Sequence, residues 1–497
     1  MKNLKVSKYL HFQRVDNDNY VGWNRFFPSI FIFNTPALEL LDHIRGNKPL
    51  ETDEELEYII KEFEKYKFIY EGESDPSQQD FLDMVQQHLD DLNQRAKDFY
   101  RLEQDYSALK IVNDVCNLNC SYCVNAYLPT GMAKAGIKKN FPGKFRIIDD
   151  CVDQFFARKI KKGVGEVSIT FNGGEILVDW QIIKNTVQRI SQKYPGIKIN
   201  YEMNTNLTLL TAEMAKFFDH YHFKINVSID GYKEAHDKTR KYRSGRGSFD
   251  DIIKKIALYR KTSKIDAIKT FQGTIEHVDD FQPEQVYQME KYGFVAARLA
   301  PNLLNCSRTD GKKKAKVMGR FLELNSQNQF QVTELLFTKV KQGINQKEYK
   351  FSMNCPGLSG FPKIGFEINI TTLSVSHLCG FIRHLAVPIK DLGYDIYNPK
   401  LWQVSHEFIK QRMASMLKNC IQCPLLALCR GGCILSGLDS QNRVNKAACA
   451  YQQEIWKIYL KKAYQDRKGY GHSESLYSTA GSCGGGKVIR KVAPSPG

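Results

Sequence analysis

The sequence predicts an α/β protein built on an open, partial barrel of about six βα units, with a small module before it and a cysteine-rich region after it. Three observations carry this reading. From Leu109 to Ala300 strand-like and helix-like stretches alternate, the pattern of a parallel sheet with crossover helices. Ahead of them, three short apolar strands and two helices fill residues 1–70. Most of the thirteen cysteines fall into two groups, one at the start of the alternating region and one after it. At 497 residues the chain is too long for a single core, so several domains are expected.

The composition narrows the class. Hydrophobic residues make up 42% and charged residues 25%, ordinary for a globular protein. No run approaches the roughly 18 apolar residues that a membrane span needs. The start, Met1-Lys2-Asn3-Leu4-Lys5, lacks the long apolar run of a signal peptide, so a cytoplasmic location with no membrane partner is expected. In a reducing cytoplasm, thirteen cysteines are free thiols or metal ligands. The net charge of +17 admits nucleic acid, an acidic peptide or mere solubility. Its densest run, Lys312-Lys313-Lys314-Ala315-Lys316, has no interleaved aromatics for base stacking and is read as a solvated face, with no nucleic-acid partner.

The first module opens with strands Tyr9–Phe12, Tyr20–Asn24 and Ser29–Phe33. Asn34-Thr35-Pro36 then reads as a helix cap with proline just inside the start. A helix Ala37–Ile44, a second Asp53–Tyr66 and a strand Phe68–Tyr70 complete it. Residues 71–104, rich in Asp, Gln and Glu, read as a helical connector.

The alternating region has strand candidates Leu109–Val112, Glu166–Phe171, Lys198–Met203, Lys224–Ile229, Ala267–Ile275 and Ala296–Ala300. Active sites in such folds collect at the carboxyl ends of the strands, and each motif here stands at one. After the first strand comes Cys116-x3-Cys120-x2-Cys123, with Tyr122 before the last thiol. Three thiols within eight residues can hold one face of a 4Fe-4S cube and leave its fourth iron without a protein ligand. A zinc site would more usually present paired C-x2-C arms. After the second strand comes Gly173-Gly174-Glu175, in which glycines let the backbone approach a ligand and a carboxylate can accept from an ammonium group. Asn204-Thr205-Asn206-Leu207 follows the third strand. Val227-Ser228-Ile229-Asp230-Gly231 ends the fourth, with His236 and Arg240 beyond.

The second cysteine group is Cys420-x2-Cys423-x5-Cys429-x3-Cys433, followed by Cys449 and preceded by Cys355 and Cys379. Cys151 and Cys306 fall outside it and read as core thiols. From Gly469 a Gly, Ser and basic tail containing Cys483 is expected to be disordered.

The C-x3-C-x2-C motif with its Tyr122, together with Gly173-Gly174-Glu175, resembles the signature of the radical S-adenosylmethionine (SAM) enzymes, in which the Gly-Gly-Glu motif holds the methionine amino group. Where that family continues with proline this chain has Ile176, and where it often has Thr-Asn-Gly this chain has Leu207. The Val227–Gly231 to Arg240 succession is similar to the family's peptide-modifying branch. It implies that Asn206, Ser228 and Arg240 touch SAM, although for Arg240 and His236 a loop-closing ion pair accounts for them equally well.

The second cysteine group resembles the SPASM domain. That resemblance implies one auxiliary 4Fe-4S cluster on Cys420, Cys423, Cys429 and Cys449, and another on Cys355, Cys379 and Cys433 with its fourth ligand unassigned. Gly380 stands where sulfatase-maturing relatives carry an aspartate base, which disfavours formylglycine formation. The first module resembles the peptide-recognition element related to the pyrroloquinoline quinone chaperone, a winged-helix-like fold that grips a leader peptide by strand addition, here at Ser29–Phe33. A winged helix on DNA is the alternative.

The expected organisation is a recognition module at 1–70, a connector at 71–104, the partial barrel at 105–305, a bridging region at 306–350, the SPASM domain at 351–463 and the tail at 464–497. The resemblance implies a radical SAM enzyme that cross-links a ribosomally made precursor peptide through a thioether or carbon-carbon bond, fed by a reductant such as flavodoxin or ferredoxin. Epimerisation is the alternative within enzymes. An iron-sulfur carrier or a nucleic-acid sensor is the alternative outside them.

Overall fold

The computed structural model describes residues 3–27, 29–47, 53–100, 106, 108–123, 143–304, 306–333, 366–377, 385–429, 431 and 444–469. The chain forms two compact units, Met1–Asp90 with Leu335–Asn354 and Ala414–Gly497, and Asp91–Glu334 with Cys355–Met413.

In the first unit β1 (Leu4–Val6) is followed by an antiparallel sheet of β2 (Leu10–Arg14), β3 (Asn19–Asn24) and β4 (Ile30–Asn34), with β3 central. Asn34 ends the sheet because its side chain accepts from Ala37 N–H at 3.1 Å, capping α1 (Thr35–Arg45) with a proline in its first turn. Asp53 caps α2 (Glu54–Lys65) in the same way. Strand β5 (Ile69–Glu71) pairs with β1, a three-residue partner too short to stand out in the sequence. Phe33, Leu41, Phe63 and Phe68, all nearly inaccessible, form the core of this module. Gly22 on β3 lies so close beneath Phe33 that a Cβ would stand 2.5 Å from its ring. The helix α3 (Ser77–Tyr100) follows. The C-terminal part of this unit carries the single turn Leu426–Cys429 and the helix Lys446–Gly469.

The second unit holds a ten-stranded sheet. Its first six strands in sequence are those expected: β6 (Ala108–Asn113), β7 (Glu166–Gly173), β8 (Lys198–Thr205), β9 (Lys224–Ser228), β10 (Thr270–Ile275) and β11 (Ala296–Pro301). Each pairs in parallel with the next, through partners such as Ile111 with Phe171, Phe171 with Met203 and Val227 with Phe271. The crossover helices are α4 (Lys144–Lys161), α5 (Trp180–Lys193), α6 (Ala212–His220), α7 (Lys233–Thr239), α8 (Phe249–Thr262) and α9 (Pro283–Tyr287).

The sheet does not stop at six strands. After α10 (Arg308–Asn325), β12 (Gln331–Thr333) extends it beyond β11. At the other edge β13 (Phe366–Asn369) runs parallel to β6, followed by antiparallel β14 (Ser374–Ser376) and β15 (Val387–Pro388). The apolar run alone could not show this, because strands as short as three residues carry no periodic signal.

Two smaller expectations change. Lys314, within the basic run, is buried, its ammonium donating to Asn302 O at 2.6 Å, while Lys312, Lys313 and Lys316 remain exposed. The last described helix continues to Gly469, past the boundary expected at residue 463. Among the described residues no helix is long and apolar enough to cross a membrane.

Candidate active site

The carboxyl ends of β6, β7, β8 and β9 bring together the motifs that are far apart in sequence. After β6 the chain turns through Asp114 and Val115 into the cysteine loop, which is fastened from two sides. Asn119 N–H donates to Lys241 O at 2.7 Å and Ser121 N–H to Thr239 O at 3.1 Å, so the segment around Arg240 acts as a partner strand. On the other side, Cys116 Sγ accepts from Leu118 N–H at 3.4 Å and from the Asn206 amide at 3.8 Å. Asn206 also donates to Asn117 Oδ1 at 3.0 Å and accepts from both the N–H and the hydroxyl of Thr208. With its amide so occupied, Asn206 braces the loop.

The glycines of Gly173-Gly174-Glu175 are required by close approach. Gly173 has φ +131°, and a Cβ there would lie 2.2 Å from Asn113 O; one on Gly174 would lie 2.3 Å from Val115 O. The backbones therefore cross in contact, with Glu175 N–H bonded to Val115 O at 2.6 Å. Glu175 itself is fully buried and caps the short 3-10 turn Ile176–Asp179. Its carboxylate accepts from Leu177 N–H, the Thr205 hydroxyl and Asn206 N–H at 3.0, 2.7 and 2.6 Å. Burial pushes its pKa up against the pull of these three donors. A carboxylate has about four acceptor positions, and these donors take three of them. Ile176, in place of the family's proline, is buried in the core. Leu207, in place of its glycine, holds φ +63° and is fully buried, so side-chain burial offsets a backbone conformation that glycine would adopt without strain.

At the end of β9 the sequence points to Ser228 and Arg240 but not to Asp230, the residue that joins Arg240 to Tyr122. Its carboxylate, 2% exposed, accepts from the Tyr122 hydroxyl at 2.5 Å, the Thr239 hydroxyl at 2.8 Å, Arg240 Nε at 2.9 Å and Thr274 N–H at 2.8 Å. Burial alone would raise its pKa, but Arg240, with His236 and the other donors, holds it below the usual carboxylate range. Arg240 lies over the Tyr122 ring, 5.6 Å from its centroid. Tyr122 thus joins the cysteine loop to the ion pair. An acid at a strand end ten residues before an arginine was the available signal. Ser228 is half-buried and makes no side-chain hydrogen bond among the described residues, so its hydroxyl is available.

His236 is structural. Its Nδ1 accepts from Asp230 N–H at 3.3 Å, which assigns the proton to Nε2, donated to Ser248 Oγ at 2.9 Å; Ser248 in turn donates to Arg240 O. Burial lowers its pKa from 6.5 to about 4, with Asp230 opposing the shift. The folded state therefore stays neutral where the unfolded chain takes up a proton. Stability is complete above about pH 6.5 and is lost as pH falls toward about 4, by about 3 kcal/mol in total. His236→Gln should flatten this dependence in thermal melts across that window. Parallel curves for variant and wild type would remove His236 from the account.

The thiols suit a metal-sulfur group by their chemistry. All described cysteines are free. Burial pushes Cys116 up to about 12 and Cys120 up to about 11, so thiolates at these positions need a cation to stabilise them. The donors at Cys116 Sγ suit an anionic sulfur. Among the described residues no three His, Cys, Asp or Glu side chains converge closely enough to hold a metal ion by themselves. In the second group Cys420, Cys423, Cys429 and Cys449 are described and partly exposed, whereas Cys355, Cys379, Gly380, Cys433 and Cys483 lie outside the described residues. Cys151 is a buried thiol of α4 and Cys306 is half-buried.

Residues 111–288, the stretch that carries this whole site, match the family model of the radical SAM superfamily, so the chain carries a radical SAM domain in an α/β fold with a mostly parallel sheet. Among individual proteins, the chain is 32% identical over 191 residues to the serine-type anaerobic sulfatase-maturating enzyme of Bacteroides thetaiotaomicron, covering 38% of this chain and 42% of that relative. It is 21% identical over 494 residues to the radical SAM cyclopropyl synthase TigE of Paramaledivibacter caminithermalis, covering 94% of this chain and 97% of that one. A solved structure described as native anSMEcpe with bound AdoMet superposes with a TM-score of 0.54 at 20% identity, covering 73% of this chain and 100% of that one, a likeness of fold.

Proposed function

We propose that the chain is a radical SAM maturase of a ribosomally made peptide, closing a thioether or carbon-carbon bond. The observation that supports it most is the gathering of the cysteine loop, Gly173-Gly174-Glu175, Ser228 and the Asp230–Arg240 pair at the ends of four adjoining strands. Cys116, Cys120 and Cys123 would hold three irons of a 4Fe-4S cluster. The cluster and SAM, when bound, supply one-electron cleavage of SAM to methionine and a 5'-deoxyadenosyl radical, chemistry beyond any side-chain acid or base. This chain's residues do the positioning. The remaining acceptor site of Glu175 takes an ammonium group, the Ser228 hydroxyl takes a polar oxygen, and Arg240 supplies positive charge toward a carboxylate.

A carbon-carbon product is favoured by the match that runs the length of both chains, since a cyclopropyl ring is closed by carbon-carbon bonds. Cys420, Cys423, Cys429 and Cys449 would hold one auxiliary cluster, and Cys355, Cys379 and Cys433 three irons of the other. The terminal strand β4 would take a leader peptide by strand addition, and flavodoxin or ferredoxin would supply the electron. Co-expression with short peptides encoded by any reading frame found adjacent to the gene, followed by mass spectrometry, tests the reading. Loss of two hydrogens is expected. Unchanged mass with deuterium uptake from solvent would replace it by epimerisation, and an untouched peptide with no SAM cleaved would overturn it.

A further inference from the structure

The segment between Cys420 and Cys429 has little structure of its own. The Cys423 N–H bonds back to Cys420 O and the Leu426 N–H to Cys423 O, after which comes a single helical turn. The end of β3 holds it from outside. The indole N–H of Trp23 donates to Pro424 O at 2.9 Å. Ala427 N–H, in the first turn of that short helix where amides have no internal acceptor, donates to Arg25 O at 2.9 Å. The Arg25 guanidinium donates to Gln422 Oε1 at 3.0 Å. The helix that carries Cys449 is fastened to the same module, with Gln13 Nε2 donating to Lys457 O at 2.7 Å and the Tyr464 hydroxyl donating to Asp16. Packing leaves part of this seam open, with a cavity of about 360 Å³ between His11, Trp23, Pro424, Leu425, Trp456 and Leu460. Hydrogen bonds from the N-terminal module therefore help to set where the cysteine segment lies.

We infer that Trp23 and Arg25 are positioning residues for the thiols of Cys420, Cys423, Cys429 and Cys449, so that the N-terminal module is half the scaffold of that cysteine site as well as a peptide-binding candidate. The inference rests on the reading of these cysteines as cluster ligands. Four thiolates crowded around one cluster repel each other, and outer partners that fix their backbone govern how tightly it is kept. The test uses the reconstituted full-length holoenzyme with Trp23→Phe, which keeps an aromatic ring and removes the indole N–H, and Trp23→Ala, which removes both.

Iron per chain, release of iron to a chelator and the electron paramagnetic resonance spectrum of the reduced protein are measured, with the SAM-induced spectral change as a check on folding. Trp23→Phe should lose one cluster's iron about ten-fold faster or more, with a shifted auxiliary signal and an intact SAM response. Trp23→Ala should lack about four irons from the outset. Wild-type iron content, release and spectrum in both variants would overturn the inference alone. A wild-type protein that binds only about four irons would overturn the cluster reading, and the inference with it.

Discussion

Replacing Cys116, Cys120 and Cys123 together by alanine should abolish SAM cleavage, a fall of more than about 1000-fold, while removing only about four irons per chain. The expectation follows from where the thiols lie. The three sit on one loop, fastened by Asn119 and Ser121 to the Arg240 segment and by Asn206 to Cys116. Cys420, Cys423, Cys429 and Cys449 belong to the other compact unit. Iron counting and a single-turnover assay for 5'-deoxyadenosine check both halves. Loss of all iron would mean that the sites are not separate, and retained SAM cleavage would mean that this loop is not the site of SAM chemistry.

The second large effect is expected at Asp230. Asp230→Ala strands the Arg240 guanidinium, which is nearly buried and has this carboxylate as its ion-pair partner. Breaking a buried pair from one side costs about 3–5 kcal/mol, and the melting temperature should fall by roughly 5 °C or more. The same substitution removes the acceptor of the Tyr122 hydroxyl, and a displacement of about 1 Å in the cysteine loop is enough for a loss of about 100-fold in turnover. Asp230→Asn keeps an acceptor without the charge and should recover much of the stability but not the full rate. Its SAM-dependent change in the cluster spectrum should be altered, which a purely structural carboxylate would not produce. Wild-type melting and turnover in Asp230→Ala would remove the residue from the site.

The motifs were legible because their residue types are rare in those combinations. Three thiols at spacings of four and three, two glycines before a glutamate, and a cap of Asn34 before Pro36 are patterns that core packing alone seldom produces, and the six main strands were long enough to show as apolar runs. What stayed hidden was carried by residues with no distinctive neighbourhood. Asp230 is one aspartate before one glycine. Asn206 was expected to meet a ligand, and its role in bracing the cysteine loop through Cys116, Asn117 and Thr208 could not be read from its neighbours. Strands β12 and β13 hold three and four residues and gain their stability from the edges of a sheet already formed.

The sequence by itself determined the local chemistry: which loop presents thiols, which turn must be glycine, which segments alternate as strand and helix. These depend on neighbours within a few residues, and so can be read in order. The tertiary structure decided which of those residues meet. Only the parallel pairing of β6 to β9 puts Glu175 against Thr205 and Asn206, and Asp230 between Tyr122 and Arg240. Only the folded chain brings the Trp23 indole N–H to Pro424 O, in the segment after Cys420 some four hundred residues later. A hydrogen bond needs two groups within about 3 Å of each other, and across such separations proximity is a property of the folded chain alone.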